Sequence, residues 1–420
     1  MNEFAKPKCV DLRGLAPERQ AALLREQYVA LKGTGASLRM QVDAAWEQTY
    51  VMMIESGYRV SIERGATTLA LDVDGSTPRP GAQGAHSLAA HPDGRIYANT
   101  SGNRVAIIDA ASRKVLRHIR TGESPSHLAL SGDARHLYVA NAGSNDVTIV
   151  DTATDRIVAS APAGRRPLLP CADPARDLVY LPSGPDRRVA VVDAAGKLIA
   201  TIAVGIAPHD IAVSPDSRWA YQPNSGAHSV TVINARELRV AGEIAVGAGP
   251  GHIAFGGDGR LAYVANTIAN DVSVIDTANH EVIATIPAGA GAHLPLLGHG
   301  GRFGYVANFA SDDLTVWETA THRVIARIPV GIYPHFFAIS PDDRWIVISN
   351  TGESSVCLAD AARLAVIARL AVGGAPAHIA FDPDGECAFV ACEATDEVAV
   401  IDLSGRKVVD RVKAGALERN

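Results

Sequence analysis

The tetrapeptides Tyr138-Val139-Ala140-Asn141, Tyr263-Val264-Ala265-Asn266 and Tyr305-Val306-Ala307-Asn308 decide the fold. A strand-like tetrapeptide that recurs at fixed spacing marks a repeat architecture. With its last residue as a rung, the ladder runs Asn99, Asn141, Ser183, Asn224, Asn266, Asn308, Asn350 and Cys392, every step being 42 residues except one of 41. Ten residues beyond each rung stands an acid or an amide: Asp109, Asp151, Asp193, Asn234, Asp276, Glu318, Asp360 and Asp402. The ladder predicts eight units between residues 82 and 415.

Each unit holds four short β-patterned runs. In the fifth they are His252-Ile-Ala-Phe255, Leu261-Ala-Tyr-Val264, Val272-Ser-Val-Ile275 and Glu281-Val-Ile-Ala-Thr-Ile286. The separators are Gly256-Gly-Asp-Gly259, Asn270-Asp271 and Asp276-Thr-Ala-Asn279. These are turn formers, because Gly tolerates positive φ while Asn and Asp bond their own backbone. Four strands per period, repeated eight times, predict an all-β, eight-bladed β-propeller. The 38 Gly and 23 Pro of the 420 residues are largely the punctuation of these units.

The rungs, the turns Ser214-Pro-Asp216 and Asp382-Pro-Asp-Gly385 and the run Val274-Ile-Asp-Thr277 resemble the YVTN-repeat propeller family. That resemblance covers about four-fifths of the chain. Eight units is also the count in the propellers of haem-d nitrite reductases and related proteins, a similarity of architecture. It implies a non-covalent haem-type tetrapyrrole as one candidate cofactor.

Residues 8–73 lie outside the repeat. Strand-like runs at 10–13, 37–42, 58–63 and 67–73 alternate with two helical patterns, one opened by Pro17 and closed by Gly33, the other carrying Trp46, Tyr50, Met53 and Ile54. The order β-α-β-α-β-β predicts a small α/β domain, and Asp11-Leu-Arg-Gly-Leu15 resembles the TusA-like sulfur-carrier fold. Sulfur carriers place a cysteine directly after Gly-Leu; here Ala16 stands there, so the persulfide-forming thiolate is missing. Cys9 is the nearby alternative thiol. Residues 74–81 read as a linker, and 82–415 as the propeller.

With 47% apolar and 20% charged residues, the composition is that of a globular protein, and the net charge of −6 argues against a general nucleic-acid binder. No 20-residue apolar run predicts a membrane span, and no apolar segment follows the first lysines, so a cytoplasmic location is expected. Five scattered cysteines fit reduced thiols, and the Cys387–Cys392 spacing is not that of a zinc pair.

In a propeller the first strand of each blade lines the central channel. The loops entering these strands carry His86, His127, His209, His252, His293, His335 and His378, one in seven of eight units. Residues in an extended chain alternate sides. Ligand-binding candidates His86, His209, His293 and His335 share one register, while His127, His252 and His378 share the other, so only one set is expected to face the mouth. His228, between strands two and three of unit four, joins them; His118, His136, His280 and His322 are expected in solvent. Unit three substitutes Leu168 and Leu169 and adds Arg165, Arg166, Arg187 and Arg188, with Arg104 in the corresponding loop of unit one. Arginine suits carboxylate or phosphate, so these residues and the histidines form the candidate ligand site. Solvated arginines paired with Asp186 are the structural alternative.

No Gly-x-Gly-x-x-Gly loop, no Gly-x-Ser-x-Gly elbow and no Cys-x-x-Cys-His occurs. The sequence thus predicts a binding or accessory propeller that holds an anionic small molecule or tetrapyrrole-like cofactor on its histidine-bearing face. A divalent metal is the other candidate cofactor, and residues 8–73 are expected to meet a protein partner. Two alternatives stay open: an enzyme (lyase, lactonase or redox) using a histidine of that face, and a protein-interaction scaffold.

Overall fold

The computed structural model describes residues 84–415 together with four N-terminal strands, and the chain divides into two compact units, Met1–Ala82 and Gln83–Asn420. In the first unit, Lys8–Asp11 pairs parallel with Leu38–Gln41, which pairs antiparallel with Thr68–Leu71, itself antiparallel to Val60–Ile62. The two expected helices, Ala16 and the linker 74–81 lie outside the described residues.

The second unit is eight four-stranded antiparallel sheets, each made of four consecutive strands. Blade five, for example, is Pro250–Phe255, Leu261–Asn266, Asp271–Asp276 and Glu281–Pro287. The second and third strands are buried on both faces because each blade is sandwiched between two others, hence the apolar runs that made the repeat visible. Among the described residues eight apolar clusters form the core, one per blade junction. The one joining blades eight and one contains Leu88, Ile96 and Ile108 with Phe389, Val398 and Val400. Among the described residues no strand is shared between the first and last blades, so packing and a few hydrogen bonds close the ring.

The rungs are structural. Asn266, fully buried, donates from Nδ2 to Asp271 Oδ1 at 2.7 Å and Ser273 Oγ at 2.8 Å, locking the second strand to the third. Asn308 makes the same pair of bonds. The acids ten residues on cap the next turn, as when Asp151 Oδ1 accepts the Thr154 N–H at 2.8 Å. Asn266→Ala strands Asp271 and Ser273 beside a small void and is expected to destabilise the propeller by about 1–3 kcal/mol, read from urea or thermal unfolding.

One rung differs from the sequence ladder. Thr100 pairs with Arg104 as Asn141 pairs with Asp146, and Tyr97 and Tyr138 occupy equivalent positions, so Thr100 is the first rung and the turn after it is one residue shorter. Asn99 faces the other way. Its Oδ1 accepts the N–H groups of His86 at 3.0 Å and Ser87 at 2.6 Å, bracing the segment that carries His86 into the first strand.

Candidate functional site: a ring of imidazoles at the channel mouth

Five innermost strands begin opposite their rungs: Pro125 pairs with Asn141, Pro250 with Asn266, Ala292 with Asn308, Pro334 with Asn350 and Pro376 with Cys392, while Pro167 and Pro208 meet Ser183 and Asn224 through isolated bridges. The histidine follows by one residue (His86, His209, His293, His335) or by two (His127, His252, His378). Alternation would send these sets to opposite sides, but the pairing register slips there. It slips between Pro250 and Ile253, Ala292 and Pro295, Pro334 and Phe336, and Pro376 and Ile379. Such a bulge breaks the two-residue period.

Both registers therefore converge, which corrects the expectation that only one would. Ring centroids lie 5.1 Å apart for His86–His127, 5.2 Å for His127–His378 and 5.6 Å for His86–His378. On the other arc they lie 4.9 Å apart for His209–His252, 4.5 Å for His252–His293 and 4.6 Å for His293–His335. Phe336 bridges the arcs, 4.3 Å from His335 and 4.0 Å from His378. Phe309 and Tyr333 add an aromatic wall against His293 and His335. Blade three places half-buried Leu168 and Leu169 where the other blades have a histidine.

Burial sets the charge state. Desolvation first, then repulsion from neighbouring imidazoles, pushes His127, His293, His335 and His378 well below the usual histidine range. His209 is pushed down to about 3 by burial and by His252, against a weaker opposing pull from Asp210. These five rings are neutral near pH 7, each with one donor and one lone-pair nitrogen. Buried nitrogens His127 Nδ1, His293 Nε2 and His378 Nε2 meet no partner among the described residues.

Two carboxylates invisible to the sequence reading join the ring. Glu393 Oε2 lies 3.2 Å from His86 Nδ1, and Asp210 Oδ2 lies 3.1 Å from His252 Nδ1. One signal did exist: among the residues directly after the rungs (Ser101, Ala142, Gly184, Ser225, Thr267, Phe309, Thr351, Glu393), Glu393 is the single acid.

His228 does something else. It is exposed, has φ of 55°, and its Nδ1 accepts the Gly249 N–H at 3.0 Å. Asn145 and Asn270 do the same for Arg166 and Gly291, so His228 caps a blade junction. The outer histidines are packed rather than solvated. His118 Nε2 lies 2.6 Å from Ala414 O, and His280 Nδ1 lies 2.6 Å from Tyr221 Oη. Nδ1 of both His136 and His322 is buried.

In blade three, Asp186 binds Arg165 through Nε at 2.5 Å and backbone N–H at 2.7 Å, and Arg188 at 3.3 Å. These contacts, led by the Arg165 N–H, hold its carboxyl down to about 2. Arg166 and Arg187 are exposed at left-handed turn positions with φ of 49° and 51°. Arg104 begins the third strand of blade one. Of the cysteines, Cys357 and Cys392 are buried strand residues, and burial pushes the Cys392 thiol up to about 11.

No helix among the described residues is long and apolar enough to cross a membrane. No curated protein matches the chain. Among solved structures, it is similar to the dihydro-heme d1 dehydrogenase NirN in complex with DHE, with a TM-score of 0.66 and 17% identity over 77% of this chain and 74% of that one. Hydrazine synthase of Kuenenia stuttgartiensis is similar with a TM-score of 0.56 and 22% identity, covering 66% of this chain and 95% of that one. The mitotic checkpoint complex contributes a third likeness, with a TM-score of 0.56 and 16% identity over 64% and 86%. At such identities the likeness is one of fold. The family model described as lactonase, 7-bladed beta-propeller, matches residues 183–362 and 334–414, more than half of the chain. The chain, with one blade more than that description, belongs to the lactonase-type β-propeller family.

Proposed function

We propose that the propeller is a binding protein whose channel mouth holds an anionic, tetrapyrrole-like ligand. The convergence of seven imidazoles beside Phe309, Tyr333 and Phe336 carries this reading. Phe309, Tyr333 and Phe336 would stack on a planar conjugated ligand, an imidazole of the ring would ligate its central metal, and arginines of blade three would meet its carboxylates. The fold likeness to NirN, whose structure holds DHE, supports the same reading. Titration of the purified protein with haem-type tetrapyrroles is expected to shift the visible absorption bands at one equivalent per chain. His209→Ala/His335→Ala is expected to abolish the shift. An unchanged spectrum, or a full shift in that variant, overturns the reading.

The two carboxylate–imidazole pairs favour a second reading. His86–Glu393 and His252–Asp210 are the arrangement of an oriented general base, and the family description names a lactonase. Hydrolysis of a panel of lactones, lost in His252→Gln and retained in His322→Ala, would establish it; no turnover above background would discard it. For residues 8–73, docking of a protein partner is the corresponding proposal, read from capture by the full chain but not by residues 83–420.

A further inference from the structure

The seven imidazoles are not equivalent. Phe336 on one side and Leu168 and Leu169 on the other divide them into an arc of four and a compact triangle of His86, His127 and His378. In the triangle each ring touches both others, at 5.1, 5.2 and 5.6 Å between centroids. One ring nitrogen from each lies within 4.8 Å of those of the other two.

Three imidazoles on one centre form the protein half of a catalytic-type zinc site, which leaves a fourth position open. Nitrogens bound at about 2.0–2.1 Å to a tetrahedral ion stand about 3.4 Å apart, and side-chain torsions span the remaining difference. The electronic preparation matches. His127 Nδ1 and His378 Nε2 are buried without a partner among the described residues. His86 Nδ1 faces Glu393 Oε2 at 3.2 Å, which leaves Nε2 for coordination. A carboxylate on the far nitrogen of a metal-binding histidine fixes its tautomer and raises its basicity. The other arc has Asp210 on His252 but brings no three nitrogens this close among the described residues.

We propose that His86, His127 and His378 bind one divalent first-row transition ion of the zinc class, with Glu393 as the positioning residue and one coordination position open to an anionic ligand. The proposal goes beyond the tetrapyrrole reading and stands without it. The triangle spans blades eight, one and two, over the junction where the ring closes. There the His378 N–H donates to His86 O at 3.2 Å, Ser101 donates to Asp396, and His118 meets Ala414 O. A bound ion would tie the last blade to the first two.

The test is cobalt(II) titration of the full chain, stripped by chelator and free of tetrapyrrole. One equivalent per chain is expected, with the visible d–d absorption of a four- or five-coordinate ion, displaced by zinc. His127→Ala and His378→Ala are each expected to lose stoichiometric binding, and Glu393→Gln to weaken it about 10- to 100-fold. His322→Ala retains it. Zinc is expected to raise Tm and to slow hydrogen exchange in blades one and eight more than in blades four and five. Absence of stoichiometric cobalt in the wild type overturns the site, as does full binding in a folded His127→Ala/His378→Ala variant. Should those variants not fold, undiminished affinity in Glu393→Gln overturns the coordination set. Tetrapyrrole titration of chelator-stripped protein keeps the two proposals separate, because either binding can be lost while the other persists.

Discussion

Acidification from pH 7 to about 4.5 is expected to unfold the propeller cooperatively. The cause is the imidazole ring. His127, His209, His293, His335 and His378 all have depressed values in the folded state, from burial first and mutual repulsion second. Above pH 6.5 both folded and unfolded chains hold these groups neutral, so they do not affect stability. Below it the unfolded chain takes up protons that the folded chain refuses, and stability falls with pH until the folded values are reached, about 3 for His209. Each group then removes about 1.4 kcal/mol per pH unit. All five act in the same direction, so stability falls steeply on acidification. Glu393 beside His86 and Asp210 beside His252 place negative charge at the same mouth, and Asp210 moderates the effect at His209. Urea unfolding at a series of pH values reads the proton uptake as the slope of stability against pH. His378→Gln is expected to lower that slope by about one proton. A folded propeller at pH 3.5, or a transition with a slope below one proton, would refute the burial account.

Gly304→Ala is expected to destabilise the propeller by about 3 kcal/mol, the upper end for overpacking a core. A Cβ there would lie 2.2 Å from Cε2 and Cζ2 of Trp317, a fully buried side chain directly across the strand pair. The same cross-strand position holds Leu137 with Val150, Ala262 with Ile275 and Ile346 with Ala359. The blades thus share the volume between two strands, and blade six places nearly all of it in Trp317. Trp317→Ile alone opens a void and costs about 2–4 kcal/mol. Gly304→Ala/Trp317→Ile recreates the pair of blade five and is expected to recover most of the loss. Near-additive single effects in a double-mutant cycle, read by thermal and urea unfolding, would show that Trp317 escapes by another route.

The fold was legible in the sequence because its determinants are local. Gly259, Asn270 and Asp276 mark turns through their own backbone preferences, and Tyr263-Val-Ala-Asn266 repeats because each second strand meets the same sandwiched environment. Local reading failed where neighbouring columns look alike. Asn99 mimicked a rung because a one-residue shortening in the next turn conserved the distance to Asp109, and only the strand pairing identified Thr100. His228 resembled a site histidine through its position in a loop, while its left-handed backbone and the Gly249 bond make it a junction cap.

By itself the sequence determined an eight-bladed propeller and a column of histidines at the entrances of its innermost strands, since period, turn chemistry and position within a repeat are properties of short segments. Which of those histidines meet was decided only by the tertiary structure. Bulges after Pro250, Ala292, Pro334 and Pro376 cancel the alternation that separates the two registers. Ring closure then brings Glu393 to His86 across 307 residues of chain. Such contacts follow from where blade eight meets blade one, a distance in space that no spacing along the chain encodes.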